Sequence, residues 1–159
     1  MTEIRQFEQC DVVLTAAAPQ PIRELAASLR PAGFRIEEDA VLVLPRTDTV
    51  NDWESDAIAT IDLFLGEEEL LDLADQNDRW DRLQIGFALG TTPSRLIEPF
   101  GNACEAVAEA TGLVPTIAGQ PIVPSQIAAW VRSEAARATT AIGVEPGTEA
   151  FALLIELTY

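Results

Sequence analysis

Residues 57–65, AIATIDLFL, alternate along the chain in a way that decides the class of fold. One side of the alternation is entirely apolar, whereas the other carries Thr60 and Asp62 among its apolar residues. A period of two with one apolar side indicates a strand whose sheet is buried on one face only. We therefore expect a sheet that is covered by helices on that face.

The flanking sequence supplies further strands and helices of ordinary length. Strands are predicted at 11–18, 34–36, 41–44, 83–89, 113–117 and 150–159, where β-branched or alternating apolar residues recur. Helices are predicted at 20–29, 67–75, 92–112 and 125–135, where apolar residues follow a helical spacing. The polar stretch 47–56 has no apolar period and is predicted to be a loop.

The expected architecture is a single α+β domain over residues 1–159, a two-layer sandwich with a mostly antiparallel sheet and helices on one face. A three-layer arrangement is the second alternative. Residues 14–36 and 87–117 both have the order strand, small residues with proline, helix, glycine, strand. This similarity has two explanations, duplicated β-α-β units as in a ferredoxin-like fold or chance similarity of two ordinary units.

The chain is strongly acidic, with 26 Asp and Glu residues against ten Arg, and its formal net charge is −16. A field of that sign repels phosphates and anionic lipid, so we expect neither a nucleic-acid nor a membrane partner. Residues 47–81 hold twelve of the acids and a single cation. Mutual repulsion in this segment favours a basic partner protein. The alternative is a solvated face that only aids solubility.

The acidic segment and its tryptophans supply the candidate partner-binding residues. Trp53 is flanked by two acids and is predicted to be an exposed contact, whereas Trp80 is predicted to anchor the chain in the core. We expect the acids of 48–81 to form one contiguous surface. The candidates are Asp48, Asp52, Trp53, Glu54, Asp56, Glu67, Glu68, Glu69, Asp72 and Asp75.

The residue types give little support to catalysis or to cofactor binding. The sequence has no His and no Lys, so it lacks a His-activated nucleophile, a Schiff-base lysine and a phosphate-loop lysine. Asp72, Asp75, Asp78 and Asp81 recur at every third position, a spacing that drifts around a helix and does not converge on a metal ion. We therefore expect a protein that is not an enzyme and that needs no metal or cofactor.

The sequence also indicates a compartment. Cys10 and Cys104 lie far apart, and nothing else in the sequence indicates an oxidising environment. Residues 1–11 carry charges where a signal peptide needs an apolar core. We expect reduced thiols and a cytoplasmic location.

These observations favour a non-catalytic acidic module that binds a basic protein. By analogy of charge and size, we expect an inhibitor of the bacterial immunity-protein or antitoxin type, which would occlude the basic cleft of a cognate toxin or of another basic protein. The alternative is a small-molecule-binding or regulatory domain with a pocket between sheet and helices. A neighbouring gene for a protein with a basic terminal domain would favour the first hypothesis, and one for a metabolic enzyme the second.

Overall fold

Eight strands form one sheet within the residues that the structure, a computed structural model, describes, namely 4–37, 41–49, 51–66, 69–70 and 79–158. The strands are β1 (Cys10–Pro21), β2 (Arg35–Glu37), β3 (Val41–Pro45), β4 (Ala57–Leu65), β5 (Glu69–Leu70), β6 (Arg79–Phe87), β7 (Thr116–Ile117) and β8 (Gln120–Pro121). Their order is β2-β3-β4-β6-β1-β7-β8, and β5 pairs with β4. Each of these pairings is antiparallel, which confirms the predicted type of sheet.

One face of the sheet forms a wall of the hydrophobic core. The register places Ile61 opposite Ile85, and Ile85 opposite Val12, so apolar side chains of three strands line up in one row. The next row consists of Leu63, Leu83 and Leu14. Each of these side chains is at most 1% exposed, as the alternation in 57–65 predicts.

The helices cover this apolar face. Within the described residues they are α1 (Ile22–Leu29), α2 (Ile97–Thr111), α3 (Ile127–Ile142) and α4 (Glu149–Thr158), with 3₁₀ turns at Ile4–Phe7, Arg30–Ala32, Ser94–Leu96 and Pro124–Gln126. Phe100 of α2 packs on Phe87 of β6, with ring centroids 5.1 Å apart. The fold is therefore an α+β sandwich, as predicted. None of the described helices has the length and apolar content to span a bilayer.

The two similar β-α-β stretches of the sequence have different topologies. In the unit β6-α2-β7, one strand of the sheet, β1, lies between the two strands of the unit. In the unit β1-α1-β2, three strands lie between them, namely β6, β4 and β3. In both units the outer strands run parallel to each other, because an even number of antiparallel pairings separates them. The units differ by the two additional strands β3 and β4, so they are not equivalent copies of one ferredoxin-like unit.

The helix predicted for 67–75 is wrong where the structure describes that segment, because the chain turns back after Gly66 and forms β5 against the end of β4. Gly66 has a φ of 66°, and its N–H donates to the carboxylate of Asp81 at 3.1 and 3.2 Å. Pairing with a strand edge satisfies backbone groups at once, whereas a short helix is costly to nucleate. Residues 67–68 and 71–75 lie outside the described residues.

The terminal strand predicted for 150–159 is also wrong, because Glu149–Thr158 forms α4. Thr148 precedes the helix, and its Oγ1 accepts a hydrogen bond from the Phe151 N–H at 3.3 Å. A Cβ on Gly90 would lie 2.3 Å from Ile155 Cδ1 and 3.2 Å from Phe151 Cε1. The helix thus packs two residues, four positions apart, against a glycine that leaves room for them.

Asp62 lies on the face of β4 opposite the core, and the effect of its partial burial on stability can be tested. Burial, and then the negative charge of Asp11, raise the pKa of Asp62 above its usual 3.8. An acid whose pKa is raised in the folded state favours folding most when it is protonated, at pH values below its pKa in the unfolded chain. This contribution to the free energy of unfolding is lost as the pH rises through the pKa of the folded state. We expect Asp62→Asn to increase the free energy of unfolding at pH 7 by up to about 1 kcal/mol, with little change at pH 3.

Urea unfolding of the native protein and the variant at both pH values measures this difference. Asp56→Asn is the matched control, because Asp56 is exposed in a loop and its substitution should change little. Equal or lower stability of Asp62→Asn at pH 7 would contradict the expectation.

Candidate functional site

The loop between β3 and β4 is built around a buried cation, Arg46. Its side chain is 0% exposed, and Nη2 donates to Glu54 Oε1 at 3.1 Å. Nη1 donates to the Ser55 carbonyl oxygen at 3.1 Å, and Nε donates to Asp48 Oδ1 at 3.0 Å. Glu54 is itself only 4% exposed. Both charges of this pair are therefore removed from water, and the surrounding loop, hereafter the 46–56 loop, has to fold around them.

Glu54 also closes a tight turn within the 46–56 loop. Its N–H donates to the Asn51 carbonyl oxygen at 3.1 Å, which is the hydrogen bond of a four-residue β-turn. Its Oε2 accepts from the Asn51 backbone N–H at 3.0 Å and from the Asn51 side-chain amide at 3.1 Å. The two central residues of the turn, Asp52 and Trp53, are held at its tip by these bonds.

The 46–56 loop is tied to the turn that follows β6. The Ser55 N–H donates to the Thr91 carbonyl oxygen at 2.9 Å. Arg95 donates from Nη2 to Asp48 Oδ2 at 2.9 Å. Hydrogen bonds from Arg95 and then Arg46 hold the pKa of Asp48 below its usual value. The loop position is thus fixed from both sides, by Arg46 within it and by residues 91–95 beside it.

Helix α4 lies against the same turn. The Gly147 N–H donates to the Gly90 carbonyl oxygen at 3.3 Å. Gly147 has a φ of 75°, and a Cβ there would lie 2.5 Å from the Thr92 carbonyl oxygen. This close approach of two turns places the start of α4 beside the 46–56 loop.

A cleft of about 530 Å³ separates the tip of the 46–56 loop from α4. The residues that line it are Asn51, Asp52, Trp53, Thr91, Glu149, Ala152, Leu153, Ile155 and Glu156. Three are carboxylates, and none of these lining residues is basic. Trp53 is half-buried, and Leu153 is 51% exposed. The cleft therefore combines an apolar surface with negative charge on both walls.

Two of the candidate acids form ion pairs within the protein. Glu54 was predicted to contact a partner, but it is buried against Arg46. Asp48 is exposed, but it forms ion pairs with Arg46 and Arg95. Their negative charges are compensated within the protein, because a loop that buries a guanidinium needs carboxylates beside it. Asp52 and Asp56 are exposed, and the described residues supply no cation within ion-pair distance of them.

Part of the contiguous surface expected for 48–81 lies outside the described residues, and its described acids are spread along the length of β4. The 46–56 loop precedes the first residue of β4, whereas Glu69 pairs with Leu65 at its last residue. A strand of nine residues spans about 26 Å, so these acids lie at opposite ends of it. Glu67, Glu68, Asp72 and Asp75 lie outside the described residues. Trp80 is 2% exposed, which confirms its predicted place in the core.

The α4 wall of the cleft was missed from the sequence because that segment was predicted to be a strand. Glu149, Ala152, Leu153 and Glu156 follow one another at i, i+3, i+4 and i+7. In a helix these positions share one face, whereas in a strand they divide between two faces. The signal was present in the sequence, since Ala, Leu and Glu are also strong helix formers.

The described residues contain no group of three or more His, Cys, Asp or Glu side chains placed to hold a metal ion. Cys10 and Cys104 are free and buried. Burial raises the pKa of Cys10 to about 12 and also raises the pKa of Cys104. Both thiols are therefore protonated at neutral pH, and neither supplies a thiolate nucleophile.

No protein-family profile matches the chain, and no curated protein matches it in sequence.

The buried pair of Arg46 and Glu54 is expected to dominate the stability of the 46–56 loop. Arg46→Met leaves the Glu54 carboxylate buried without its cation, which typically costs about 3–5 kcal/mol in the free energy of unfolding. Arg95→Met is the matched control, because Arg95 is 57% exposed and its ion pair should contribute less than about 1 kcal/mol. Denaturant unfolding measures both.

The double variant Arg46→Met/Glu54→Gln separates the pair from general packing. Gln keeps an oxygen for the Asn51 donors but carries no charge, so it should recover a large part of the loss. If Arg46→Met and Arg95→Met lower the free energy of unfolding equally, the buried charge of Glu54 does not explain the loss of stability.

Proposed function

We propose that this protein is a non-catalytic acidic module that binds a basic partner protein through the cleft between the 46–56 loop and α4. The observation that carries the proposal is the lining of that cleft. Asp52, Glu149 and Glu156 bring three carboxylates to it, and no basic residue lines it. Opposite charges at such a surface steer a partner into place and exclude partners of like charge.

The cleft suits an Arg or Lys side chain in particular. These side chains have a long apolar stem and a charged head, so they need apolar surface and acceptors side by side. Leu153 and Ala152 offer apolar surface on α4, and Trp53 offers an aromatic ring on the opposite wall. A guanidinium stacked on an indole gains a further cation–π attraction.

The surface of α4 extends the contact beyond the cleft. Leu153 and Leu157 lie four positions apart and are 51% and 83% exposed. Exposed apolar side chains beside a charged rim resemble the centre and edge of protein interfaces. A partner that covers these two leucines would also bring its basic surface against the acidic cleft.

The biological role proposed from this mode of binding is inhibition of the immunity-protein or antitoxin type. The protein would occlude the basic, substrate-binding cleft of a toxin in the cytoplasm. The strong net charge of −16 supports this role, since it matches a basic partner and opposes nucleic acid.

The charge of the cleft is tested with two variants that each remove three negative charges. One is Asp52→Asn/Glu149→Gln/Glu156→Gln, and the other is Glu67→Gln/Glu68→Gln/Glu69→Gln. We expect the first to slow association with a basic protein captured from the host by about tenfold at low salt. The difference should shrink near physiological salt, where screening acts over about 8 Å.

The glutamate triplet is the matched control for net charge. Surface plasmon resonance at several salt concentrations gives both rates for each protein. Equal slowing of association by the two variants would show that the association rate depends on the overall charge of the protein and not on the cleft. Greater slowing by the triplet variant would place the interface at the glutamate triplet.

The aromatic contact is tested separately with Trp53→Ala. We expect dissociation to accelerate by about 30-fold, the effect of losing a central tryptophan worth about 2 kcal/mol, with little change in association. Trp53→Phe keeps an aromatic ring and should have a smaller effect. An unchanged dissociation rate for Trp53→Ala would remove Trp53 from the interface.

A further inference from the structure

The solvent-facing side of α4 carries a row of apolar residues. Ala150, Leu153 and Leu157 are all exposed, and the two leucines are exposed by 51% and 83%. They follow one another at spacings of three and four residues, which places them along one side of the helix. Phe151 lies on the other side of α4 and is fully buried. The helix therefore packs on the domain through one side and leaves a second apolar side, hereafter the apolar row, in contact with water.

Two glutamates border the apolar row. Glu149 and Glu156 are exposed, lie seven residues apart and line the cleft. No described arginine lies within ion-pair distance of either carboxylate. In heptad notation Ala150 and Leu157 occupy a positions, Leu153 occupies a d position, and both glutamates occupy g positions. This is the arrangement with which one helix of a coiled coil contacts another.

The spacing of the two glutamates favours a helical partner segment over an extended one. Seven residues of helix span about 10.5 Å along the axis. Side chains on one face of a second helix recur at the same seven-residue interval, so two cations on it would meet both carboxylates. On one face of a strand, side chains recur about every 6.8 Å, and no multiple of that distance matches. A strand would also gain no backbone pairing, because a helix uses its central N–H and C=O groups internally.

The charge beside the apolar row selects the chemistry of that helix. A second copy of this chain also offers an apolar row, but it would bring a further charge of −16 to the contact. Two α4 helices paired in antiparallel orientation would place g positions opposite g positions, and thus glutamate opposite glutamate. A helix that carries Arg or Lys has the opposite sign of charge and meets neither penalty.

We propose that the basic partner presents an amphipathic helix to α4, with apolar residues on the apolar row and two Arg or Lys residues, seven positions apart, at Glu149 and Glu156. This inference rests on the proposed function, because it names the element of the basic partner that the acidic cleft receives. The cationic side chains cross the two glutamates and reach towards Trp53 on the opposite wall of the cleft.

Three synthetic peptides, each three heptads long, test the inference. The first has leucines at a and d and arginines at e and g, with alanine and glutamine elsewhere. The second has prolines at two central positions of the face away from the leucines, which break the helix and leave the contact residues unchanged. The third has the composition of the first in scrambled order. We expect the first to bind at least about tenfold more tightly than the others, because they cannot present an amphipathic helix.

Titration followed by ¹H–¹⁵N spectra gives the affinity of each peptide and the residues that respond. We expect saturable shifts of the α4 amides with the first peptide. Leu157→Gln tests the apolar row apart from the cleft, since Leu157 is not among the residues that line the cleft. It should weaken binding of the first peptide by about tenfold, as the burial of one leucine side chain predicts. Val123→Gln is the matched control, because Val123 is 62% exposed and lies outside α4, and it should change nothing.

The outcomes distinguish this inference from the proposed function. If the three peptides bind equally and the Asp52→Asn/Glu149→Gln/Glu156→Gln variant weakens all of them, the acidic cleft is a binding site but the helical partner is wrong. If that variant weakens none of them, the proposed function fails as well. Self-association of the native protein that Leu157→Gln abolishes would assign the apolar row to a second copy and overturn the inference.

Discussion

Arg46 carries its positive charge inside the protein, and the conformation of the 46–56 loop follows from that fact. A buried guanidinium requires acceptors around it, and the loop supplies Glu54, Asp48 and the Ser55 carbonyl oxygen. Glu54 then has spare acceptor capacity, which Asn51 uses to close the turn. The placement of Asp52 and Trp53 at the tip is a consequence of pairing one cation. A loop of eleven residues, nine of them polar, would otherwise have many conformations of similar energy.

The ion pairs of Arg46 and Arg95 distinguish acids that are neutralised within the protein from acids that are not, a difference that the composition does not show. Acids that are paired with Arg46 or Arg95 fix the loop and contribute little to the external field. Acids without such a partner, at Asp52 and on α4, remain available to an approaching cation. The net charge of −16 therefore overstates the negative charge that the 46–56 loop presents to solvent, although it still sets the long-range field of the protein. In the 46–56 loop, the positions of Arg46 and Arg95 decide which acids are paired within the protein.

Sequence patterns predict this fold well where burial alone decides the structure. The alternation in 57–65 gave the strand, its buried face and the one-sided sandwich, because each depends on a period of two. Patterns failed where the outcome depends on a distant partner. Glu69 and Leu70 form a strand because they pair with the end of β4, beyond the described residues of β4 that pair with β3. Phe151 and Ile155 form a helix face because Gly90 leaves room for them. Glu54 looked like a surface acid because its cation lies eight positions away and inside the protein.

The core around Trp80 and the cleft beside α4 lie at opposite ends of β6. Trp80 is buried at the start of that strand, whereas Thr91 follows its end and lines the cleft. A nine-residue strand separates them by about 26 Å, and its central side chains are packed in a continuous core. Sites this far apart without shared partners usually have additive mutational effects. We therefore expect substitutions at Trp80 and in the cleft to have additive effects on stability, because the strand between them is packed in a continuous core.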